Sequence, residues 1–187
     1  MAFYISKIKK VDFKGQGSKN YGASNATLLA GKKAGAIVLV HDILKSVIAV
    51  ILCRILFGDR FGAIAGCCAV IGHIFPFYLR FDGGKGFASF IGASIAVSPL
   101  YGIIIILIAI ALAALFDYIV AATFSFISLI PVCLFITNEF IVAIVFTVTA
   151  AIILIKHRQN LINLITKNGK ESKIRPVLFK KRYENKS

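Results

Sequence analysis

Six long apolar runs follow one another along the chain, and short polar or glycine-rich breaks separate them. Most of these runs approach the roughly 20 residues that a helix needs to cross the hydrocarbon core of a bilayer. The pattern therefore predicts an all-α fold, a polytopic integral membrane helical bundle. The predicted crossings are residues 34–54, 61–78, 87–97, 100–116, 118–137 and 140–155.

The third run, residues 87–97, is much shorter than the others, and Ser98 and Pro99 end it. As a helix it would extend only about 16 Å, which is about half of the hydrocarbon core. A half-length helix followed by a turn is typical of backbone that borders a polar cavity. We therefore expect a polar site close to this segment.

Composition supports a membrane protein and helps to orient it. Of the 187 residues, 58% are hydrophobic, the mean hydropathy is +0.85 and the net charge is +14. Seven lysines lie in residues 1–33, and ten lysines and arginines lie in residues 156–187. Because positive charge favours the cytoplasmic side, residues 1–33 are predicted to be a cytoplasmic, interfacial start and residues 156–187 a basic cytoplasmic tail. We expect one membrane-embedded domain over residues 1–187 and no nucleic-acid binding, because no recognition module accompanies the charge.

A polar insert, residues 72–87, separates the second and third runs and carries the strongest candidate chemistry. Gly83, Gly84 and Gly86 surround Lys85 directly before the third run. Glycine lets the backbone approach a ligand closely, and the N–H groups at a helix start favour an anion. The insert therefore predicts a phosphate-binding loop at the end of a membrane helix. The alternative is a flexible connection whose lysine extends to the interface.

Two pairs of polar residues, one inside the first run and one after the last, are further candidates. Asp42 and Lys45 lie three residues apart in the first run, so they share a helix face and can form an ion pair. Ionisable residues at this depth usually face the protein interior or a polar cavity, and a purely structural pair is the alternative. His157 and Asn160 have the same spacing after the last run. The alternative for His157 is a surface histidine at a helix end.

Three motifs in a fixed order connect these candidates to a known family. Motif one is Gly17-Ser18-x-Asn20-x-Gly22-Ala23-Ser24-Asn25, followed by Gly31-Lys32-Lys33-x-Gly35 and Asp42-x-x-Lys45. Motif two is Gly72-His73-x-Phe75-Pro76, followed by Gly83-Gly84-Lys85-Gly86. Motif three is His157-Arg158-x-Asn160, followed by Leu164 and Gly169-x-Glu171. Over nearly its whole length the chain resembles the bacterial acyl-phosphate:glycerol-3-phosphate acyltransferases, the PlsY family.

The resemblance implies an enzyme that transfers an acyl group from acyl phosphate to the 1-position of glycerol 3-phosphate, giving 1-acylglycerol 3-phosphate in phospholipid biosynthesis. It implies a bacterial cell membrane protein with a cytoplasmic active site, surrounded by membrane lipid, with no cofactor and no metal. We expect a monomer. The alternative is a non-catalytic relative, or a membrane transporter of a small phosphorylated or lipid anion.

The motifs also imply roles for individual residues. The expected catalytic residues are Ser18, His157 and Asn160, of which the last two would orient the attacking hydroxyl group. Asp42 and Glu171 are expected to be structural. The expected substrate-binding residues are Asn20, Asn25, Lys32, Lys45, His73, Gly83, Gly84, Lys85 and Gly86.

The sequence departs from the family pattern at several positions. Lys19 and Ser46 each replace a glycine, Leu28 stands where the family carries an arginine, and Val120 stands near an expected serine. The family has seven helices and an external N terminus, whereas residues 2–16 match only the end of the first helix, so about six crossings and a cytoplasmic N terminus are expected here. We expect weak activity or none, because most of the family's first helix is missing and the lost arginine removes a bidentate phosphate partner.

Overall fold

The structure, a computed structural model, describes residues 1–116 and 119–165. Every regular element in these residues is a helix, which confirms the all-α prediction. A 3₁₀ turn, Phe77–Leu79, lies between the fourth and fifth α-helices. The α-helices are α1 (Ala2–Lys9), α2 (Ala23–Ala30), α3 (Lys32–Phe57), α4 (Asp59–Ile74), α5 (Phe87–Val97), α6 (Pro99–Phe116), α7 (Ile119–Ile136) and α8 (Phe140–Ile165).

These helices have the lengths and the surface of an integral membrane protein, as predicted. Three segments, Lys32–Phe57, Asp59–Leu79 and Phe140–Asn160, are each long and apolar enough to cross a bilayer. Shorter apolar helices lie between the second and third of them. Large apolar side chains are exposed on the outside of the bundle, and an open apolar groove of about 570 Å³ runs along the outer face of α3. A large exposed apolar surface of this kind is typical of contact with membrane.

Several helix boundaries differ from the predicted ones. The second predicted crossing, residues 61–78, is an α-helix from Asp59 to Ile74. Gly58 is the only residue between α3 and α4, so the break between the first two predicted crossings, residues 55–60, is shorter than predicted. Its φ is 92°, a conformation that glycine adopts without a steric penalty, so one residue is enough to turn the chain. The last helix continues past residue 155 to Ile165. The continuation places His157, Arg158 and Asn160 of motif three on the same helix as the last apolar run.

Small and aromatic residues bring α5 into the centre of the bundle. Gly92 of α5 lies so close to the backbone of Ile43 in α3 that a Cβ at this position would overlap it. Such small residues let membrane helices approach and pack by van der Waals contact. On its other side, α5 contributes Phe90, whose fully buried ring packs against Phe126 of α7 and Phe146 of α8. The start of α5 is therefore held between several helices.

The two ends of the bundle have different polar groups. At one end, α3 and α5 begin while α4 and the described part of α8 end, and the described residues of the three motifs gather there. We call this the motif end. At the other end, Nε of Arg54 lies 2.7 Å from Oδ1 of Asp59, and Nη2 of Arg54 donates to the carbonyl of Val97 at 3.3 Å. Arg54 thereby joins α3, α4 and α5 away from the motifs.

Candidate active site

The glycine loop, residues 82–86, connects the turn after α4 to the start of α5. The N–H of Gly83 donates to the Ile74 carbonyl at 3.1 Å, and the N–H of Gly84 donates to the His73 carbonyl at 3.2 Å. These bonds satisfy carbonyl groups at the end of α4. The N–H groups of Gly83 and Gly84 thus already have backbone partners, and the substrate-binding role expected for these two glycines stays a prediction.

Close packing explains why glycine stands at these two positions. A Cβ on Gly83 would overlap the carbonyl oxygen of His73 and the ring of Pro76, and a Cβ on Gly84 would overlap the imidazole of His73. Neither glycine has a positive φ, so space and not backbone conformation excludes a side chain.

The start of α5 supplies backbone N–H donors that are not engaged by the end of α4. Gly86 precedes this helix with φ 91°, and the N–H of Phe90 donates to the Gly86 carbonyl at 2.9 Å. The N–H groups that come before Phe90 in the first turn have no acceptor within the helix, and the helix dipole favours negative charge beside them. Lys85, directly before Gly86, adds a full positive charge. The arrangement suits an anion at the start of α5.

A side-chain hydrogen bond joins motifs two and three. Nζ of Lys85 donates to Oδ1 of Asn160 at 2.6 Å, although 75 positions separate the two residues. His157, one turn earlier on α8, is only 5% exposed, and its Nδ1 lies 2.9 Å from the Ile153 carbonyl. Because a carbonyl only accepts, Nδ1 of the neutral ring carries the proton and Nε2 carries the lone pair. His157 therefore presents a hydrogen-bond acceptor on its Nε2 side.

Residues 17–22 of motif one form a compact loop before α2, and Asn25 lies in the first turn of that helix. Two buried amides hold this loop. The Asn25 side chain is fully buried, donates to the carbonyls of Phe13 at 2.8 Å and Asn20 at 2.9 Å, and accepts from the Ser18 N–H at 2.9 Å. Nδ2 of Asn20 donates to Oγ of Ser18 at 2.9 Å. Because Oγ of Ser18 accepts this bond, its own O–H is left to donate elsewhere. Asn20 and Asn25 thus fix the shape of this loop, and the roles in substrate binding and catalysis expected for Asn20, Asn25 and Ser18 stay predictions.

Leu28 and Lys32 are two further side chains near motif one. Leu28 is 41% exposed, and its Cδ2 lies 3.1 Å from the position that a Cβ on Gly17 would take. An arginine at position 28 would bring its charge to the residue next to Ser18. Lys32 is exposed at the start of α3, and its role in substrate binding stays a prediction.

An ion pair between loops joins motif one to the glycine loop. Nζ of Lys14 lies 2.5 Å from Oδ2 of Asp82 and 5.3 Å from the centre of the Tyr21 ring. The sequence analysis missed these three residues. The only signal in the sequence was that Lys14 and Asp82 carry opposite charges, and they lie in two separate loops. Burial raises the pKa of the Tyr21 phenol above its usual value, and the carboxylates of Asp12 and Asp82 raise it further. Tyr21 therefore keeps its O–H donor at neutral pH.

A polar cavity of about 280 Å³ lies beside the glycine loop, lined in part by Tyr21, Gly83 and Gly84. Lys45 and His73 also line it. Nζ of Lys45 donates to Oδ1 of Asp42 at 2.7 Å and contacts Nδ1 of His73. The structure thus confirms the predicted pairing of Asp42 with Lys45 and adds His73 to it.

The last expected structural residue, Glu171, lies outside the described residues, as do Asp117 and Gly169. The side chain of Val120 is likewise outside them. Among the residues that the structure describes, no group of three or more histidine, cysteine or acidic side chains is arranged to hold a metal ion.

The fold and the site together define a class, a polytopic membrane protein with a candidate anion site where helices begin and end at one side of the bundle. A family model described as glycerol-3-phosphate acyltransferase matches residues 1–167. The glycerol-3-phosphate acyltransferase of Thermoanaerobacter pseudethanolicus is 35% identical over 178 residues, which cover 92% of this chain and 87% of the relative. That of Francisella tularensis subsp. novicida is 37% identical over 164 residues, which cover 84% of this chain and 77% of the relative.

Solved structures agree with these sequence matches. The glycerol 3-phosphate form of PlsY (YgiH), an integral membrane glycerol 3-phosphate acyltransferase, superposes with a TM-score of 0.88 at 31% identity, covering 95% of this chain and 90% of that chain. The lysophosphatidic acid form superposes with a TM-score of 0.85 at 30% identity, covering 96% and 91%. The chain belongs to the glycerol-3-phosphate acyltransferase family, as the motifs predicted.

Proposed function

We propose that the chain transfers an acyl group from acyl phosphate to the 1-position of glycerol 3-phosphate, giving 1-acylglycerol 3-phosphate and inorganic phosphate. The observation that carries the proposal is the bond of 2.6 Å between Lys85 and Asn160. It brings a cation at a helix start together with the polar face of α8 that holds His157. A phosphorylated alcohol needs a cation that binds its phosphate and, beside that cation, a hydrogen-bonding group that orients its hydroxyl.

In this proposal the phosphate of glycerol 3-phosphate binds Lys85 and the first-turn N–H groups of α5. Asn160 holds the lysine ammonium in place, and His157 accepts a hydrogen bond at Nε2 from the attacking hydroxyl group. The O–H of Ser18, which the bond from Asn20 leaves available, donates to the acyl phosphate. The glycerol 3-phosphate and lysophosphatidic acid forms of the similar PlsY structures support this substrate and this product.

At the acyl carbon the reaction forms one bond and breaks one, and one proton moves from the alcohol to the phosphate. The C1 hydroxyl oxygen attacks the acyl carbonyl carbon, and the bond from that carbon to the phosphate oxygen breaks with its electron pair on the phosphate. The hydroxyl proton goes to the departing phosphate, either directly or through Nε2 of His157 as general base. Because acyl phosphate is a mixed anhydride, alignment is the main requirement, and holding two reactants in place supplies about 7–11 kcal/mol of such a barrier.

We further propose that the motif end faces the cytoplasm of a bacterial cell and that the product stays in the membrane for phospholipid synthesis. The lysines of residues 1–33 lie at or near this end, and positive charge favours the cytoplasmic side. A water-soluble substrate can reach Lys85 from that side while the acyl chain stays in lipid.

One assay tests the proposal. Purified protein in vesicles is supplied with radiolabelled glycerol 3-phosphate and with palmitoyl phosphate, or with palmitoyl-CoA as the control donor. We expect labelled 1-acylglycerol 3-phosphate with palmitoyl phosphate alone, and loss of product in Lys85→Met but not in Lys9→Met, which removes an exposed charge from α1. Uptake of label into the vesicles without product would refute catalysis and favour a transporter.

A further inference from the structure

The imidazole of His73 lies between a buried ion pair and the glycine loop. On one side are Asp42 and Lys45 of α3, and on the other side is Gly84. We propose that Asp42 and Lys45 are positioning residues that act through His73, which holds Gly84 and thereby sets the position of Lys85. The proposal rests on the proposed function, because Lys85 is the phosphate-binding residue there.

The first step is the chain of contacts across the interface between α3 and α4. Oδ1 of Asp42 accepts from Nζ of Lys45 at 2.7 Å and lies 3.5 Å from Nδ1 of His73. The side chains are 5% exposed for Asp42, 26% for Lys45 and 12% for His73. Ionisable groups inside a membrane bundle are costly, and here each one has a partner that fixes its place.

The second step is the form of the imidazole. An ammonium group has only donors, so the Lys45 contact makes Nδ1 of His73 an acceptor, and the single ring proton is on Nε2. His73 therefore turns a neutral ring with a polar N–H toward Gly84.

The third step is the contact with the glycine loop. Nε2, Cε1 and Cδ2 of the His73 ring occupy the space where a Cβ of Gly84 would stand. The carbonyl of the same histidine accepts the Gly84 N–H at 3.2 Å. His73 thus holds Gly84 with both its side chain and its backbone. Because Lys85 is the next residue, a shift of Gly84 would move the Lys85 ammonium away from Asn160.

The charges favour this role over the direct substrate contact that the sequence predicted for Lys45 and His73. Asp42 already balances the charge of Lys45 at hydrogen-bond distance. A paired cation attracts a further anion much less than a separate one, because the partner carboxylate repels that anion. Lys85 lies directly before the start of α5 and donates to the Asn160 amide at 2.6 Å, and the first-turn N–H groups of that helix also favour an anion there.

A double-mutant cycle between His73 and Gly84 tests the contact. His73→Asn keeps a polar group near Lys45 but empties the space against Gly84, and Gly84→Ala places a Cβ in that space. Either single change is expected to raise the KM for glycerol 3-phosphate at least about tenfold with a smaller change in kcat, because residues in direct contact couple. The double variant is expected to be no worse than His73→Asn alone, since the alanine then has room.

Lys45→Met tests the positioning role, with Lys9→Met as the matched control. Lys45→Met should raise the same KM when His73 is present and add nothing in the His73→Asn background. His73→Gln, whose amide can reach Gly84 with an N–H, should recover part of the loss. If Lys45 were merely structural, Lys45→Met would lower the unfolding midpoint, and the effect of this change on the KM would not depend on which residue stands at position 73.

Additive effects of His73→Asn and Gly84→Ala, or an unchanged KM in Lys45→Met, would overturn the proposal. The thermal unfolding midpoint of all variants in detergent, with and without glycerol 3-phosphate, measures the coupling between residues 73 and 84 without the need for turnover. If the unmodified chain makes no product from acyl phosphate, the proposed function fails, while the unfolding cycle still decides whether His73 holds Gly84. If Lys45→Met does not fold, the cycle of His73 with Gly84 decides alone.

Discussion

The change Asn160→Asp separates two roles of Lys85 that the structure allows, phosphate binding and attachment of the glycine loop to α8. The replacement keeps an acceptor oxygen 2.6 Å from Nζ of Lys85 and adds one negative charge. If Lys85 only attaches the loop, the new ion pair strengthens the attachment and substrate affinity is unchanged. If Lys85 binds phosphate, the new carboxylate competes with the substrate.

The expected size follows from the geometry. A phosphate on the far side of the ammonium would lie about 5 Å from the new carboxylate, and at an effective dielectric constant of about 20 the repulsion is about 3 kcal/mol per unit charge. We therefore expect roughly a 100-fold rise in the KM for glycerol 3-phosphate, since about 1.4 kcal/mol corresponds to a factor of ten. The unfolding midpoint should stay the same or rise.

The assay measures acyl transfer from palmitoyl phosphate over a range of glycerol 3-phosphate concentrations, together with thermal unfolding in detergent. Asn138→Asp is the matched control, because it makes the same replacement in the exposed turn between α7 and α8, at the end of the bundle away from the motifs. A KM that stays unchanged in Asn160→Asp while the unfolding midpoint rises would refute phosphate binding by Lys85.

Three further predictions concern single positions. Leu28→Arg should increase kcat/KM for glycerol 3-phosphate in the same assay, because a charge-assisted hydrogen bond would stabilise the bound phosphate by up to about 1.5–3 kcal/mol. No gain would mean that this departure from the family is harmless. Arg54→Met should lower the free energy of unfolding by about 1 kcal/mol and leave the KM unchanged, because Arg54 joins helices at the far end. The third prediction uses a variant without native cysteines. A cysteine at position 138 should react with an impermeant maleimide on intact cells, whereas one at position 33 should react only after permeabilisation. Labelling at position 33 from outside would contradict a cytoplasmic motif end.

Local sequence features determined much of the fold. Residues 87–97 form a helix with the predicted bounds because a glycine-rich insert and Ser98-Pro99 mark its two ends. The spacing of Asp42 and Lys45 was sufficient to predict their contact, because residues three apart share a helix face. The motifs were sufficient to predict the family, since their order and residue types are retained although several positions differ.

The partners of the motif residues were decided only by the tertiary structure. Nothing near Lys85 in the sequence indicates Asn160, because the contact needs α8 to end beside the start of α5. The role of the glycines also depends on packing, since the N–H groups of Gly83 and Gly84 are engaged by the end of α4 and their missing side chains make room for His73. Glycine spacing alone predicts an open backbone, whereas the neighbouring helix determines which of its donors remain for a substrate.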